Sequence, residues 1–164
     1  TLHRPETVDD PKKFKKLILA FNKLGKKFNK KFIFPTHPRT KKIIDKMRVG
    51  LVKYVEFIKP LEFIDFLSLM KNSKLVLTDS GGIQEETSLL GVPCVTIRTT
   101  TERQITIKNK TNIITGYDYK KIKAAIVYFL KKDLRPSSVF GNGKVSELIF
   151  QKIKILDKKK KKIT

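Results

Sequence analysis

The spacing of apolar residues along the chain changes between the helical period of 3.6 and the short runs typical of buried strands. The clearest helical segment begins after Asp10, which can cap a helix, and Pro11, which is favoured in the first turn. Its apolar residues recur three or four positions apart until Gly25: Phe14, Leu17, Ile18, Phe21 and Leu24. The pattern predicts an amphipathic helix that ends before Gly25.

Short apolar runs bounded by turn residues predict strands between further helical segments. The predicted strands are 31–35, 52–58, 74–78 and 93–97, with an edge strand at 113–114. The further predicted helices are 40–47, 61–70, 83–90, 119–131 and 145–155. Because parallel neighbours need crossover connections, this alternation indicates an α/β domain with a mainly parallel sheet, covered by helices on both faces.

Polar loops follow three of the predicted strands. They carry His37, Ser80 and the stretch from Arg98 to Arg103. In open parallel sheets, ligands bind beyond the carboxyl ends of the strands, where such loops lie side by side. We therefore expect one rim of the sheet to hold the functional site.

The size and composition are those of one globular domain of 164 residues, 40% of them hydrophobic. No apolar run approaches the length of about 20 residues that a membrane span requires. The first residues do not have the pattern of a secretory signal, so we expect a cytoplasmic protein. The chain has no starting Met, which indicates a piece of a longer protein. The lone Cys94 lies in an apolar run, which argues against disulfides and cysteine metal sites.

The net charge of +22 raises the hypothesis of nucleic-acid binding. Only six of the 37 basic residues are Arg, however, and the Lys residues are spread over nearly every segment. Aromatic residues do not alternate with them as a base-stacking surface requires. We therefore expect nonspecific, salt-sensitive binding of polyanions and no dedicated nucleic-acid site. Residues 157–164 are expected to form a disordered basic tail, because a block of like charge repels itself.

The most informative segment covers residues 75–86, where a predicted strand leads through Gly81 and Gly82 into a helix. Glycines allow close backbone approach, and the free amides at the start of a helix favour phosphate. Ser80 can add a hydroxyl donor, and the Glu86 carboxylate can accept hydrogen bonds from vicinal ribose hydroxyls. An ordinary capped helix with surface acids has the same pattern, and the motif alone favours that simpler interpretation.

The longer string TDSGGIQEE, together with GVPCVTIR and TTTER after it, resembles the non-hydrolysing UDP-N-acetylglucosamine 2-epimerases. The resemblance continues in TLHRPETVDD, FPTHPRTKK, LEFIDFLSLMKNSKLVLTDSGG and FGNGKVSELI, and covers nearly all of residues 1–156. In that family two Rossmann-like halves in the glycosyltransferase-B arrangement close over the sugar nucleotide. The chain is similar to the carboxyl-terminal, UDP-binding half, which implies a Rossmann-like domain over 1–156 and an amino-terminal half as its partner.

The resemblance implies a reaction that needs neither NAD nor a metal. UDP leaves by elimination across C1 and C2, giving a 2-acetamidoglucal intermediate, and returns after reprotonation on the opposite face. UDP-GlcNAc and UDP-ManNAc are thereby interconverted. By their match to positions of that family, three residues would hold the diphosphate: Ser80, Gly81 and Gly82. Glu86 would hold the ribose, and Phe66 would lie beside the uracil.

Two His-Arg pairs belong to the implied site. His3 and Arg4 match a catalytic pair at the domain junction of the family, where the His acts as proton donor or charge stabiliser. Without the resemblance, a His this close to a terminus is more often solvated. His37 and Arg39 match a second loop near the nucleotide, which from the residues alone is a simple strand-to-helix turn.

The last implied loop carries Arg98, Glu102 and Arg103. Arg offers a planar donor fork for phosphate, and four of the six Arg residues fall in the proposed site loops. Gln104 follows this loop where the family usually has Pro. The acidic catalytic residues of the family belong largely to the amino-terminal half, so the resemblance assigns no general acid or base for C2 to this chain.

Three hypotheses follow. The chain is the nucleotide-binding half of an epimerase that binds a UDP-sugar and is inactive by itself, with the question of a homodimer left open. Alternatively, it is half of a glycosyltransferase-B enzyme that transfers the sugar to an acceptor. The third hypothesis is a noncatalytic fragment that binds UDP-sugars or, through its charge alone, polyanions.

Overall fold

The computed structural model describes residues 1–47 and 52–160, without the side chains of Arg39, Met47 and residues 157–160. The helices are α1 (Pro5–Val8), α2 (Pro11–Phe28), α3 (Pro38–Met47), α4 (Phe63–Lys71), α5 (Gly81–Leu90), α6 (Gln104–Lys108), α7 (Tyr119–Phe129) and α8 (Val145–Lys160). The strands are β1 (Phe32–Pro35), β2 (Val55–Ile58), β3 (Val76–Thr78), β4 (Cys94–Thr96) and β5 (Asn112–Ile114). Strands and helices alternate, which confirms the predicted α/β class.

Every strand pairing that the structure describes is parallel, as the sequence predicts. β1 pairs with β2, with Phe32 opposite Val55. β4 lies between β3 and β5, with Val76 opposite Cys94 and Cys94 opposite Asn112. The strands form a two-stranded and a three-stranded sheet, whereas the sequence predicts a single sheet.

The first residues of the chain lie between these two sheets. The Thr1 nitrogen donates a hydrogen bond to the Leu77 carbonyl of β3 (2.9 Å), and its hydroxyl lies 3.5 Å from the Pro35 carbonyl of β1. Leu2 is fully buried, and its carbonyl accepts a hydrogen bond from the Thr40 hydroxyl of α3 (2.9 Å). Thr1 therefore bridges β1 and β3 at their carboxyl ends, while the remainder of the two strands is not paired in the described structure.

Helices pack on both faces of β3. Consecutive strand residues point to opposite faces, and Val76 and Leu77 lie against different clusters. Val76 packs with Met70 of α4 and Ile83 of α5. Leu77 packs against the main core, to which α2 and α7 contribute Phe14, Leu17, Ile18, Phe21, Leu24, Ile122, Ala125, Ile126 and Phe129.

Helix α2 has the predicted start but not the predicted end. The Asp10 carboxylate accepts hydrogen bonds from the backbone nitrogens of Lys12 (2.9 Å) and Lys13 (3.0 Å). The helix then continues through Gly25 to Phe28. A Cβ atom on Gly25 would lie 2.5 Å from the Tyr54 Cβ and 2.8 Å from the Lys30 carbonyl oxygen. The glycine therefore serves the close approach of two chain segments, not the end of the helix.

The short helices and the last helix also differ from the predictions. α1 and α6 have four and five residues, too few for a periodic apolar pattern to predict them. α8 continues to Lys160, so the first four residues of the predicted basic tail are helical, and residues 161–164 lie outside the described part. Positive charge near a helix carboxyl end is favourable because of the helix dipole. Within the described residues, no helix combines the length and apolar character needed to cross a membrane.

The Gly25→Ala substitution should destabilise the fold. In an open helical position, the same change raises stability by about 0.5–1 kcal/mol. At Gly25 the new methyl group meets backbone, and we expect the free energy of unfolding in urea to fall by about 1–3 kcal/mol. Gly82→Ala in α5 is the matched control, since the nearest atom to its Cβ is 4.0 Å away. Equal stabilities of the two variants would contradict the packing argument.

Candidate functional site

Loops from four parts of the chain meet at the carboxyl ends of the strands. The rings of His3 and His37 have centroids 5.8 Å apart. Arg4 Nη2 lies 3.6 Å from Glu102 Oε1. A Cβ atom on Gly81 would lie 2.6 Å from the same Glu102 oxygen. The structure thus brings together predicted residues from the first segment, the loop after β1, the start of α5 and the loop after β4.

A buried carboxylate fixes the first of these loops. Asp79 follows β3 directly and has no solvent exposure. It accepts hydrogen bonds from the backbone nitrogens of His3 (3.2 Å to each oxygen) and Arg4 (3.0 Å). Because a buried carboxylate without partners is strongly destabilising, these bonds hold His3 and Arg4 beside β3. Sequence analysis did not assign Asp79 to the site, and the available signal was its place between a strand and the glycine pair.

The same carboxylate faces the His3 ring, with 3.5 Å between Asp79 Oδ1 and His3 Nδ1. Burial lowers the pKa of His3 below its ordinary value of 6.5, and the neighbouring positive groups and His37 add to that effect. The negative charge of Asp79 opposes the shift but does not reverse it. His3 is therefore a neutral imidazole at neutral pH, oriented by a carboxylate.

The start of α5 is held by backbone contacts of Ser80. The Ser80 nitrogen donates to the Thr78 hydroxyl oxygen (3.1 Å), and the Ser80 carbonyl accepts from Gln84 Nε2 (3.1 Å). Among the described residues, the Ser80 hydroxyl forms no capping hydrogen bond with α5. The first backbone N–H groups of a helix have no partner within the helix, and the positive end of its dipole lies at the same place. The hydroxyl and these amides are donors of the kind that suit an anion, and we call this place, Ser80 and the first turn of α5, the seat.

Glu102 lies at this seat among three guanidinium groups. Its carboxylate is 3.0 Å from Arg98 Nη1, 3.6 Å from Arg4 Nη2 and 3.8 Å from Arg103 Nη1. A hydrogen bond from its own backbone nitrogen and the contacts with Arg98 and Arg4 hold the pKa of Glu102 below its ordinary value. Arg103 also pairs with Glu85 of α5. The carboxylates of Glu102 and Glu85 offset the repulsion among the three guanidinium groups, so these groups can lie close together beside the start of α5.

A buried polar network supports the seat from below. Gln84 of α5 has no solvent exposure. Its Oε1 accepts hydrogen bonds from the Thr101 hydroxyl (2.7 Å) and from Asn112 Nδ2 (3.0 Å). The Thr96 hydroxyl of β4 donates to Asn112 Oδ1 (2.7 Å). Gln84 thus connects the start of α5 to the loop after β4 and to β5, a role that sequence analysis missed because a Gln in a helix is ordinarily exposed.

The loop after β4 is also held at its end. Thr101 is buried, and its hydroxyl oxygen accepts a hydrogen bond from the Arg103 nitrogen (3.1 Å). Gln104 is the first residue of α6, a position where Pro is common. Its Nε2 donates to the Thr101 carbonyl (2.7 Å). In this chain a side-chain hydrogen bond therefore connects the loop to the start of α6.

The remaining predicted residues are Glu86, Phe66 and Arg39. Glu86 is half-buried on α5, and burial, followed by the charge of Glu85, raises its pKa above the ordinary value. Phe66 is half-buried on α4, where it packs against the apolar cluster that contains Val76 and Ile83. The side chain of Arg39 lies outside the described part of the structure.

A sequence profile of the UDP-N-acetylglucosamine 2-epimerase family matches residues 1–154. The chain belongs to this family. The resemblance that the TDSGGIQEE string indicated is thereby confirmed.

Relatives within the epimerase family are similar to nearly the whole chain. A UDP-N-acetylglucosamine 2-epimerase of Methanococcus maripaludis is 39% identical over 155 residues, which cover 91% of this chain and 42% of the relative. A UDP-2,3-diacetamido-2,3-dideoxy-D-glucuronate 2-epimerase of Pseudomonas aeruginosa is 34% identical over 150 residues, with the same two coverages. The chain spans less than half the length of these epimerases.

A solved structure shows the same fold. The UDP-GlcNAc 2-epimerase of Methanocaldococcus jannaschii, crystallised in complex with UDP-GlcNAc and UDP, is 37% identical, with a TM-score of 0.86. The match covers 94% of this chain and 44% of the solved one. The loops at the carboxyl ends of the strands therefore belong to a fold that, in this relative, occurs with a bound sugar nucleotide.

The pKa of His3 can be measured by NMR titration of its ring protons, and it should lie below 6.5. His37→Gln should raise it, because His37 disfavours a second positive charge, and Asp79→Asn should lower it further. Since folding depresses this pKa, the contribution of His3 to stability is fully present above the unfolded pKa and is lost as the pH falls from there through the lower folded pKa. A His3 pKa above 6.5, or shifts of the same sign in both variants, would contradict this electrostatic description.

Proposed function

We propose that the chain is the carboxyl-terminal, UDP-binding half of a UDP-N-acetylglucosamine 2-epimerase. The observation that carries the proposal is the seat at the start of α5, where Glu102 lies against Gly81 and contacts Arg4, Arg98 and Arg103. The epimerase from M. jannaschii, at 37% identity, was crystallised with UDP-GlcNAc and UDP. The full enzyme interconverts UDP-GlcNAc and UDP-ManNAc by elimination and re-addition of UDP.

The diphosphate occupies the seat at the start of α5. Ser80 donates through its hydroxyl, and Gly81 and Gly82 let the phosphate oxygens approach the backbone nitrogens. Arg4, Arg98 and Arg103 supply the positive charge around it. UDP gathers negative charge as it leaves, so fixed amides and guanidinium groups stabilise the transition state without reorganising.

The nucleoside extends away from the diphosphate. Glu86, one turn into α5, accepts hydrogen bonds from the ribose hydroxyls. Phe66 lies beside the uracil, and His37 and Arg39 lie near the nucleotide. The raised pKa of Glu86 fits a carboxylate that is partly removed from water and that gains hydrogen-bond donors when ribose binds.

His3 takes part in the chemistry together with Arg4. The surroundings of His3 favour its neutral form, and Asp79 faces its ring. Charge that develops on the departing diphosphate favours the protonated ring, so a proton can be held at His3 when it is needed. The acid and base that exchange the C2 proton belong to the amino-terminal half, and this chain alone is inactive.

A second candidate substrate comes from the relative in P. aeruginosa, which is named for another UDP-sugar. The same seat would bind the same UDP group, and the amino-terminal half would recognise a different sugar. The reaction would still be a 2-epimerisation. This alternative changes the substrate and leaves the roles of the described residues unchanged.

Isothermal titration should show that this chain binds UDP. Ser80→Ala and Glu86→Ala should each weaken binding by about 5–30-fold, as expected for one hydrogen bond of about 1–2 kcal/mol. Ser68→Ala and Glu56→Ala are matched controls on exposed positions of α4 and β2, and should leave the affinity unchanged. If neither Ser80 nor Glu86 affects the affinity, the proposed UDP site is wrong.

Activity should be restored by adding the amino-terminal half of an epimerase of this family. The assay in D2O follows deuterium incorporation at C2 of UDP-GlcNAc and, in parallel, of UDP-2,3-diacetamido-2,3-dideoxy-D-glucuronate. We expect His3→Asn to lower kcat by about 100-fold, the usual loss for a proton-transfer group, while UDP affinity is kept. Transfer of the sugar to an acceptor without C2 exchange would favour the glycosyltransferase alternative.

A further inference from the structure

A shallow groove runs along the face of α7 that points away from the core, and we call it the α7 groove. The opposite face of the helix, which includes Ile122 and Ile126, is buried in the core. The groove has a volume of about 770 Å³. Its lining consists of two tyrosines, two apolar residues and four lysines: Lys120, Lys123, Lys131 and Lys132.

The positive charge of the α7 groove has no counterpart among the described residues. No Asp or Glu belongs to its lining, and none of the four lysines forms an ion pair in the described part of the chain. Lys27 of α2 also reaches this place, where a hydrogen bond with Lys123, followed by the charge of Lys123, lowers the pKa of Lys27. Like charges repel at such close range, and an anion bound between them would remove the repulsion.

The lysines form two groups along the helix. Lys120 and Lys123, with Lys27 beside them, form the first group. Lys131 and Lys132 form the second group just beyond the end of α7, where their backbone nitrogens donate to helix carbonyls (3.4 and 3.0 Å) and continue the last turn. A helix rises about 12 Å from Lys123 to Lys131. A ligand that meets both groups must therefore be an extended polyanion, since a single phosphate or carboxylate is too short.

Apolar side chains separate the two groups of lysines. Ala124 and Val127 lie between them in the α7 groove, three positions apart, where a second helix can pack. Ala124 is exposed and Val127 is half-buried. A ligand that is charged on all sides would leave these two residues without a partner. An amphipathic helix can place an apolar stripe on them and carboxylates near the lysines.

The tyrosines of the α7 groove argue against nucleic acid as the ligand. Lys132 Nζ lies 4.4 Å from the centre of the Tyr128 ring, and Lys23 Nζ of α2 lies 5.4 Å from the centre of the Tyr119 ring. Base stacking requires open aromatic faces, and a lysine already covers one face of each ring. A lipid surface fits less well too, because helices that lie in a membrane interface present Trp, Phe or Leu, whereas the middle of this groove has Ala and Val.

We propose that the α7 groove binds an acidic amphipathic helix of a partner protein. The partner helix carries two groups of carboxylates about 12 Å apart, which meet the two groups of lysines. Between them, its apolar stripe packs on Ala124 and Val127. A second copy of this chain does not fit, because a chain with a net charge of +22 repels its copy. The α7 groove shares no residue with the candidate site, so the proposal is independent of UDP binding.

The test measures binding of a synthetic acidic helix by fluorescence anisotropy. The probe is a labelled, acetylated peptide with two copies of the heptad Glu-Leu-Ala-Glu-Gln-Leu-Glu. We expect saturable binding that weakens as the salt concentration rises. The double variant Lys27→Gln, Lys123→Gln should weaken binding by about three- to tenfold. Ala124→Glu should weaken it by about tenfold or more, because it places a negative charge and a longer side chain on the apolar contact.

The double variant Lys71→Gln, Lys74→Gln is the matched control. It removes the same charge from two exposed lysines at the end of α4, on the face of the sheet opposite to α2 and α7. Peptide affinity should stay unchanged in this variant. The groove variants should keep both the Tm and the UDP affinity of the parent chain, which distinguishes loss of the groove from loss of the fold or of the UDP site.

The proposal is overturned if the acidic peptide does not bind, or if the control variant loses as much affinity as the groove variants. Equal binding of a peptide of the same composition, with its Leu and Ala residues spread around the helix, also overturns it, since charge alone would then explain the binding. At equal negative charge, a single-stranded oligonucleotide or vesicles of phosphatidylcholine and phosphatidylglycerol should displace the probe less well than the unlabelled peptide does. Stronger displacement by either one would assign the groove to nucleic acid or lipid and contradict the proposal.

Discussion

The arrangement at the strand ends depends on one buried carboxylate. Asp79 lies between β3 and the glycine pair, and its oxygens accept hydrogen bonds from the backbone nitrogens of His3 and Arg4. A carboxylate removed from water in this way needs donors, and the first segment of the chain supplies them. The contact places an imidazole and a guanidinium beside the helix amides that follow Asp79. The residues of the first segment are thus positioned by the same turn that leads into α5.

The second constraint is the balance of charge around the seat. Arg4, Arg98 and Arg103 would repel one another if no anion were near. Glu102 contacts all three, and Glu85 pairs with Arg103. The acids therefore keep the guanidinium groups assembled without an added anion, and the arginines remain within reach of the first turn of α5. This explains why an acidic residue belongs to a loop that is otherwise suited to phosphate.

The α/β class and most of the elements could be predicted because the apolar runs and helical spacings are regular. Gly25 misled the prediction of α2, since sequence does not distinguish a glycine that ends a helix from one that allows a neighbouring chain to pack. α6 was missed because five residues give no period. The single predicted sheet was observed as two, because strand spacing along the chain does not state which strands are neighbours in space.

The residues of the candidate site could be predicted where they are consecutive in the sequence. Ser80, Gly81 and Gly82 follow one another, and the loop with Glu102 follows β4, the strand that pairs with β3 before Ser80. Asp79 and Gln84 were not assigned because their roles depend on partners far away in sequence: His3 lies 76 residues from Asp79, and Asn112 lies 28 residues from Gln84. Such partners become visible only when the strands are placed side by side.

The network around Gln84 has a consequence for the thermodynamics of binding. The hydrogen bonds of Gln84 with Thr101 and Asn112 hold the loop after β4, which carries Arg98 and Arg103, in one conformation once the domain has folded. An anion that arrives at α5 then meets groups whose conformational freedom has already been lost. Little conformational entropy of this loop would remain to be lost if an anion bound, so differences in affinity among anions would follow mainly from how well the donors fit the anion's oxygens.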